Sequence, residues 1–155
     1  MTSTPSTPKS KSFFTVKASE RWSRVRLLVD THIVLWRMLS DSRLPASAIA
    51  QMDDPANEVV VSVVSVWEVS VKHALTRAGQ PALPISGGEF RSELLKVGVM
   101  PMPITADHVV ALDDIPLHHR DPFDRLLVAQ AQAEGMVLLT HDAQLAAYGD
   151  LVLVV

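Results

Sequence analysis

Short aliphatic runs, each followed by an acidic residue, alternate along this chain with segments of helical periodicity. Val25-Arg26-Leu27-Leu28-Val29 runs into Asp30, and Met136-Val137-Leu138-Leu139-Thr140-His141 runs into Asp142. The run Val59-Val60-Val61-Ser62-Val63-Val64 precedes Ser65 and Glu68, and Asp124 opens an apolar, helix-like stretch. Nearly pure aliphatic runs suit strands buried on both faces. Strands separated by helices build a parallel sheet covered on both faces. In such a sheet, strand C-termini and helix N-termini share one edge, where ligands bind. Acidic residues scattered in sequence would therefore meet on one edge. Such a cluster repels itself unless a hard cation such as Mg²⁺ neutralises it. The pattern points to metal-dependent chemistry on phosphates.

With 155 residues, 48% of them apolar, the chain is long enough for one domain with a real core. It has no cysteine, which excludes disulfides, cysteine-ligated zinc and thiol nucleophiles together. No apolar run approaches the ~20 residues that span a bilayer, and no apolar stretch behind Lys9, Lys11 and Lys17 would serve as a secretory signal. A cytoplasmic protein without a membrane partner is expected. The net charge of −3 is unevenly spread: residues 1–24 hold Lys9, Lys11, Lys17, Arg21 and Arg24 against Glu20, which leaves the body acidic. An acidic body is a poor generic nucleic-acid binder. A nucleic-acid substrate would need metal ions and a few local basic residues to offset that field.

Residues 1–20 are rich in Ser, Thr, Pro and Lys and lack periodicity, which predicts a disordered tail. The folded domain is expected to start near Val25. One reading makes residues 1–24 a start-site artefact with Val25 as the true start, and an intact mass that includes them would exclude it. The patterns predict a strand over 25–30, a helix through Ile33, Leu35, Trp36 and Leu39, and a second helix over 45–53 with Pro45 in its first turn. A strand is expected over 58–64. Ser65 to Glu68 reads as a capping box opening a helix to Arg77, with Trp67 and Val71 in the core. Gly79, Pro81 and Pro84 break the chain. Then come a helix over 87–96, an extended piece over 98–104, and a helix capped by Thr105 that runs to Leu112. A helix over 122–134 is bracketed by Pro122 and Gly135. A strand over 136–140, a short helix from Asp142 to Tyr148 and a strand over 151–155 complete the series. Apolar residues on the helices 31–40 and 45–53 are candidate docking surface, although core burial is the commoner use.

Each acidic residue has a plain structural explanation. Asp30 suits an N-cap, and His32 a backbone hydrogen bond. Glu68 suits a capping box, or a surface pair with Lys72 worth roughly 0.3–0.5 kcal/mol. Asp121 and Asp124 lie in a first helical turn, where negative charge favours the macrodipole. The crowding of His118, His119, Arg120 and Arg125 into that turn has no such explanation. Asp124 is preferred over Asp121 as a metal carboxylate because it leads directly into the apolar face of Leu126, Leu127 and Ala129. Asp142 opens another helix, with Thr140 as hydroxyl partner. Other chemistries lack their motifs. There is no Gly-x-Ser-x-Gly elbow, no Gly-rich phosphate loop, and no zinc spacing among His108, His118, His119 and His141. His32 stands where a haloacid-dehalogenase-like phosphatase needs a second Asp.

Four segments together resemble a known family. Asp30-Thr31-His32 with Leu35-Trp36, Ser65-Val66-Trp67-Glu68 with Lys72, the run His119-Arg120-Asp121-Pro122-Phe123-Asp124-Arg125-Leu126-Leu127-Val128-Ala129-Gln130-Ala131, and Thr140-His141-Asp142 with Tyr148 are similar to the PIN-domain toxins of the VapC type. The match covers about residues 26–150 in the family's order, and the His-Arg-Asp-Pro-Phe-Asp-Arg stretch is its most specific part. The resemblance implies a three-layer α/β/α fold, with a central parallel sheet flanked by helices, as a PIN domain over residues 25–155. It implies the toxin of a type II toxin–antitoxin system, an endoribonuclease that cleaves tRNA or rRNA by phosphodiester hydrolysis with Mg²⁺ or Mn²⁺.

By position, the resemblance makes Asp30, Glu68, Asp124 and Asp142 a catalytic, metal-holding quartet and Thr140 its supporting hydroxyl. His32, Lys72, Arg120 and Asp121 match recurrent neighbours. Lys72, Arg120 or Arg125 would hold the RNA backbone. The implied partners are a cognate VapB-like antitoxin, the RNA substrate and a second copy in a homodimer. Two other readings stand beside this one: a flap-type DNA nuclease of related fold, and a PIN-like binding module without catalysis.

Overall fold

The computed structural model of this chain describes residues 25–76 and 83–155. The expected N-terminal tail, the helix end at Arg77 and the breakers Gly79 and Pro81 lie outside those residues. The elements run β1 (Arg26–Val29), α1 (Thr31–Met38), α2 (Ala46–Asp53), β2 (Glu58–Val60), α3 (Val63–Thr76), α4 (Gly87–Lys96), α5 (Ala106–Val110), α6 (Pro122–Glu134), β3 (Val137–Thr140) and β4 (Val152–Val154). Two 3₁₀ segments, Ala111–Asp113 and Ala143–Leu151, join them.

The strands form one sheet in the order β2-β1-β3-β4, and every neighbouring pair is parallel. Leu28 lies between Val60 and Leu138. Successive side chains on a strand point to opposite faces, and here both faces are dry. Leu28 and Leu138 pack with Leu126, Leu127 and Val128 of α6 and with Leu145. Val29 and Leu139 pack the other way, with Ile33 and Val34 of α1, Ala48 of α2, Val69 of α3, and Phe90 and Leu94 of α4. The result is the expected three-layer α/β/α arrangement. Among the described residues, no helix is long and apolar enough to cross a membrane.

The strand order fixes where a ligand can sit. From β1 the chain moves to one side to form β2, then returns to the other side of β1 to form β3. The crevice beyond the C-terminal ends of β1 and β3 is therefore the topological switch point of the sheet. Asp30 follows β1 directly, while Thr140 ends β3 with Asp142 two residues on.

Local chemistry sets most boundaries. The Asp121 carboxylate caps α6 by accepting the Phe123 and Asp124 N–H groups at 2.8 and 3.3 Å, and Pro122 occupies the first helical position. Gly135 ends the helix at φ 63°, a conformation that costs a residue without a Cβ least. Thr105 and Ser86 form capping boxes for α5 and α4 with His108 and Glu89. Gly87 lets α4 close on α3: a Cβ there would lie 3.0 Å from both Ser70 Cβ and the Val66 carbonyl.

The strand expected over 58–64 is shorter than its valine run. β2 ends at Val60, and Ser62 makes only an isolated parallel bridge to Met102. The expected extended piece over 98–104 pairs there, through Met102 N–H to Val61 O and Val63 N–H to Met102 O, both 2.8 Å. The Ser62 hydroxyl then accepts the Val64 N–H at 2.9 Å, and α3 begins two residues before the expected cap at Ser65. Ser65 and Glu68 thus lie inside the helix rather than boxing its start. The rotation this imposes also corrects the expected core. Trp67 and Val71 are 46% and 37% exposed, with the Trp67 ring edge-on to Phe123 at 4.6 Å.

Candidate metal centre

Asp30 occupies the N-cap position of α1, yet its side chain makes no capping bond. It is 2% exposed. Its Oδ2 accepts the Thr140 hydroxyl at 2.6 Å, and His32 Nδ1 lies 3.9 Å from its Oδ1. Oδ1 has no hydrogen-bond partner among the described residues. Burial raises the pKa of this carboxyl above its ordinary value, against the lowering effect of the Thr140 hydrogen bond and of His32, and the Glu68 charge adds to the rise.

Glu68 is 1% exposed, so its link to Lys72 is not a surface pair. The Lys72 ammonium donates to Oε1, while Oε2 has no hydrogen-bond partner among the described residues. Burial alone would lower the Lys72 pKa, but the hydrogen bond and charge of Glu68, with Asp121 and Asp124 behind them, raise it on balance. The neighbouring Ser65 hydroxyl accepts from Thr31 Oγ1 at 2.9 Å. This buried link ties α3 to the start of α1, just beyond Asp30.

Asp121 takes the capping role in α6, which leaves the Asp124 side chain to face the other acids. Asp124 is pushed up to about 8, first by burial, then by the charges of Asp30, Asp121, Glu68 and Asp142. Its field thus registers every other carboxylate of the cluster. Asp142 caps the 3₁₀ segment through Oδ1, which accepts the Gln144 N–H at 2.9 Å. Its own N–H donates to Thr140 Oγ1 at 3.0 Å.

The structure adds a residue that the motif reading passed over. The His119 ring lies between two of the acids, with Nδ1 3.4 Å from Asp124 Oδ2 and Nε2 3.1 Å from Asp142 Oδ2. One donor atom from each of His119, Asp124 and Asp142 falls within 4.8 Å of the others. The loop that carries His119 is held at several points. Its backbone N–H donates to the Tyr148 hydroxyl at 3.2 Å, and that hydroxyl donates to Pro116 O at 3.0 Å. Arg125 donates to Pro116 O at 3.0 Å and Ile115 O at 3.3 Å. Its guanidinium is thus a loop clamp, whereas Arg120 is exposed. The signal for His119 was the density of ionisable groups around Asp121. The clamp by Tyr148 is non-local and has no signature in the sequence.

Asp30, His32, Trp36, Asp124, His141 and Asp142 line one cleft of about 240 Å³. The Trp36 ring meets His141 edge-on at 5.5 Å, with the Arg43 guanidinium 5.3 Å above it. A larger hollow, about 460 Å³, is lined mainly by apolar residues such as Val34, Met38, Met52, Leu94 and Val97 and holds none of the clustered acids. Buried carboxylate oxygens are ordinarily hydrogen-bonded. Among the described residues Asp30 Oδ1 and Glu68 Oε2 lack a donor, and burial holds the Asp30 and Asp124 carboxyls above their ordinary pKa. A divalent cation with oxygen preference fits that donor set.

The family model of the PIN domain matches residues 27–151. No curated protein matches the sequence. Among solved structures, a chain of VapBC2 from Rickettsia felis, bound to a DNA fragment from their promoter, superposes with a TM-score of 0.58 at 14% identity, over 82% of this chain and 96% of that chain. At that identity the likeness speaks to the fold.

Proposed function

The chain belongs to the PIN domain family, and from that premise we propose that it is a VapC-type toxin, a divalent-metal-dependent endoribonuclease restrained by a cognate antitoxin. The observation that carries this reading is the pair of buried oxygens on Asp30 and Glu68 that have no donor among the described residues, beside an Asp124 carboxyl that burial, and then the other acids, push up to about 8. Asp30, Glu68, Asp124 and Asp142 form the acidic quartet of the site. A divalent ion bound among them supplies Lewis-acid polarisation of the phosphate and a lowered pKa for water.

The remaining roles belong to the chain's own groups. Thr140 fixes the Asp30 carboxylate and the start of the Asp142 turn with one hydroxyl. Glu68 or Asp124 takes the proton of the attacking water. Lys72 balances Glu68, and we assign the exposed Arg120 to a backbone phosphate. His32, Trp36 and His141 give the cleft wall three flat rings, which suit the unpaired bases of RNA. The mainly apolar hollow lined by Val34, Met38 and Met52 suits an apolar stretch of an antitoxin. On α3, Trp67, Val71 and Leu75 leave an exposed stripe suited to a second copy of the chain. The protein then works in the cytoplasm as a homodimer.

A substrate panel tests the proposal. Antitoxin-free protein is given single-stranded RNA, tRNA and branched DNA with Mg²⁺, Mn²⁺ or EDTA. Discrete RNA fragments that disappear in EDTA support it. Cleavage confined to branched DNA moves the assignment to a DNA nuclease of the same fold. No cleavage by a folded protein in either metal leaves a PIN-like binding module.

A further inference from the structure

We propose that His119 is the positioning residue for Asp142: its ring fixes the direction in which that carboxylate meets the rest of the acidic cluster. The inference rests on the acidic site proposed above and adds a residue that touches neither ion nor substrate. The hydrogen bonds around the ring define its two nitrogens. The Asp121 N–H is directed at Nδ1 from 3.2 Å. A ring nitrogen that accepts carries no proton, so the proton sits on Nε2. Nε2–H then donates to Asp142 Oδ2, 3.1 Å away. Each nitrogen has one in-plane direction, and each is taken. The ring is therefore a strut between a backbone N–H and a carboxylate.

The two ends of the strut explain why the site needs one. Asp121 is the N-cap of α6, the helix that carries Asp124 in its first turn. Asp142 stands two residues beyond the end of β3. The ring thus sets the acid after β3 against the start of the helix that bears its neighbour in the cleft. Asp142 is also the acid with the least support from packing. Its side chain is 37% exposed, against 12% for Asp124, 3% for Asp30 and 2% for Glu68. Its Oδ1 accepts the Gln144 N–H at 2.9 Å, which holds one corner of the carboxylate and lets the other pivot. His119 supplies the tether on Oδ2. The tether is itself anchored, because the ring is 11% exposed and the Tyr148 hydroxyl holds the His119 backbone. Hydrogen bonds of this kind orient a metal-binding carboxylate without touching the metal.

Two amide variants of the full, antitoxin-free chain separate this role from a purely structural one. An Asn amide oxygen stands in for Nδ1, and a Gln amide nitrogen stands in for Nε2–H. His119→Asn therefore keeps the acceptor for the Asp121 N–H and loses the donor to Asp142, while His119→Gln does the reverse. Calorimetric titration with Mn²⁺ should show affinity falling on the order of tenfold in His119→Asn and staying near wild type in His119→Gln. The opposite order, or an equal loss in both, overturns the proposal and leaves the acidic site standing. Unchanged affinity in both also overturns it. Nuclear magnetic resonance of the metal-free wild type with heavy-nitrogen histidine reads the ring directly, whether or not the variants fold. The expected signature for His119 is a protonated Nε2 and a bare Nδ1, and a proton on Nδ1 overturns the proposal. Failure of the wild type to bind Mn²⁺ overturns the metal site and the positioning role together.

Discussion

Thr140 Oγ1 lies 2.6 Å from Asp30 Oδ2, across 110 positions of sequence, and accepts the Asp142 N–H at 3.0 Å. One buried hydroxyl thus both donates and accepts, and joins the C-terminal ends of two adjacent strands at the switch point of the sheet. Removing it should leave an orphaned carboxylate oxygen and an orphaned N–H. Thr140→Val should lose about 1–3 kcal/mol of stability in urea unfolding, while Thr140→Ser keeps most of it. Equal stability of Thr140→Val and Thr140→Ser would show that the hydroxyl contributes nothing.

Tyr148 acts on the site through the loop that carries His119. Its hydroxyl accepts the His119 N–H and donates to Pro116 O. Tyr148→Phe keeps the ring and removes both bonds. It should cost about 1 kcal/mol of stability, read by urea unfolding. An unchanged stability would remove Tyr148 from the account.

The pH dependence of the metal-free protein has a definite sign. Asp124 is pushed from 3.8 up to about 8, first by burial and then by its acidic neighbours. Below both values the folded and unfolded chains each hold the proton. Between about pH 4 and about pH 8 the unfolded chain has released it and the folded chain has not, so rising pH favours unfolding. Asp30 is raised as well, chiefly by burial, and contributes with the same sign. Thermal stability in EDTA should therefore fall across that window, with a shallower fall in Asp124→Asn. A wild-type curve that rises through the window, with the same slope in Asp124→Asn, would refute this.

The same physics explains which parts of the fold are legible in the sequence. Helix α6 is readable to the residue because Pro122 and Gly135 are local signals with one strong conformational meaning each. The strands β1 and β3 are readable because both faces are buried. The boundary between β2 and α3 is not, because an unbroken valine run is compatible with either element. What decides it is the Ser62 hydroxyl on the Val64 N–H and the Met102 bridge, the second of these forty positions away. That shift turns Ser65 and Glu68 inward and Trp67 outward. The acidic positions are legible as strand ends and helix starts. The place of His119 among them is not, since it depends on Tyr148 and Arg125 holding a loop by its backbone.

Close packing of α3 on α4 gives a prediction remote from the site. A methyl group on Gly87 would meet Ser70 Cβ and the Val66 carbonyl at 3.0 Å and collide with Ser70 Oγ. Gly87→Ala should cost about 1–3 kcal/mol, measured by urea unfolding. A variant as stable as the wild type would mean that α3 and α4 separate at little cost.

The most direct test of the account is cleavage of purified total RNA by the antitoxin-free protein, with Mg²⁺, Mn²⁺ or EDTA, beside a folded Asp30→Asn variant. Asp30→Asn changes little volume but removes the charge from the carboxylate whose Oδ1 has no partner among the described residues. The account predicts discrete fragments with the wild type in Mn²⁺ or Mg²⁺, none in EDTA, and none from Asp30→Asn. Fragments of equal yield from Asp30→Asn, or in EDTA, would contradict it.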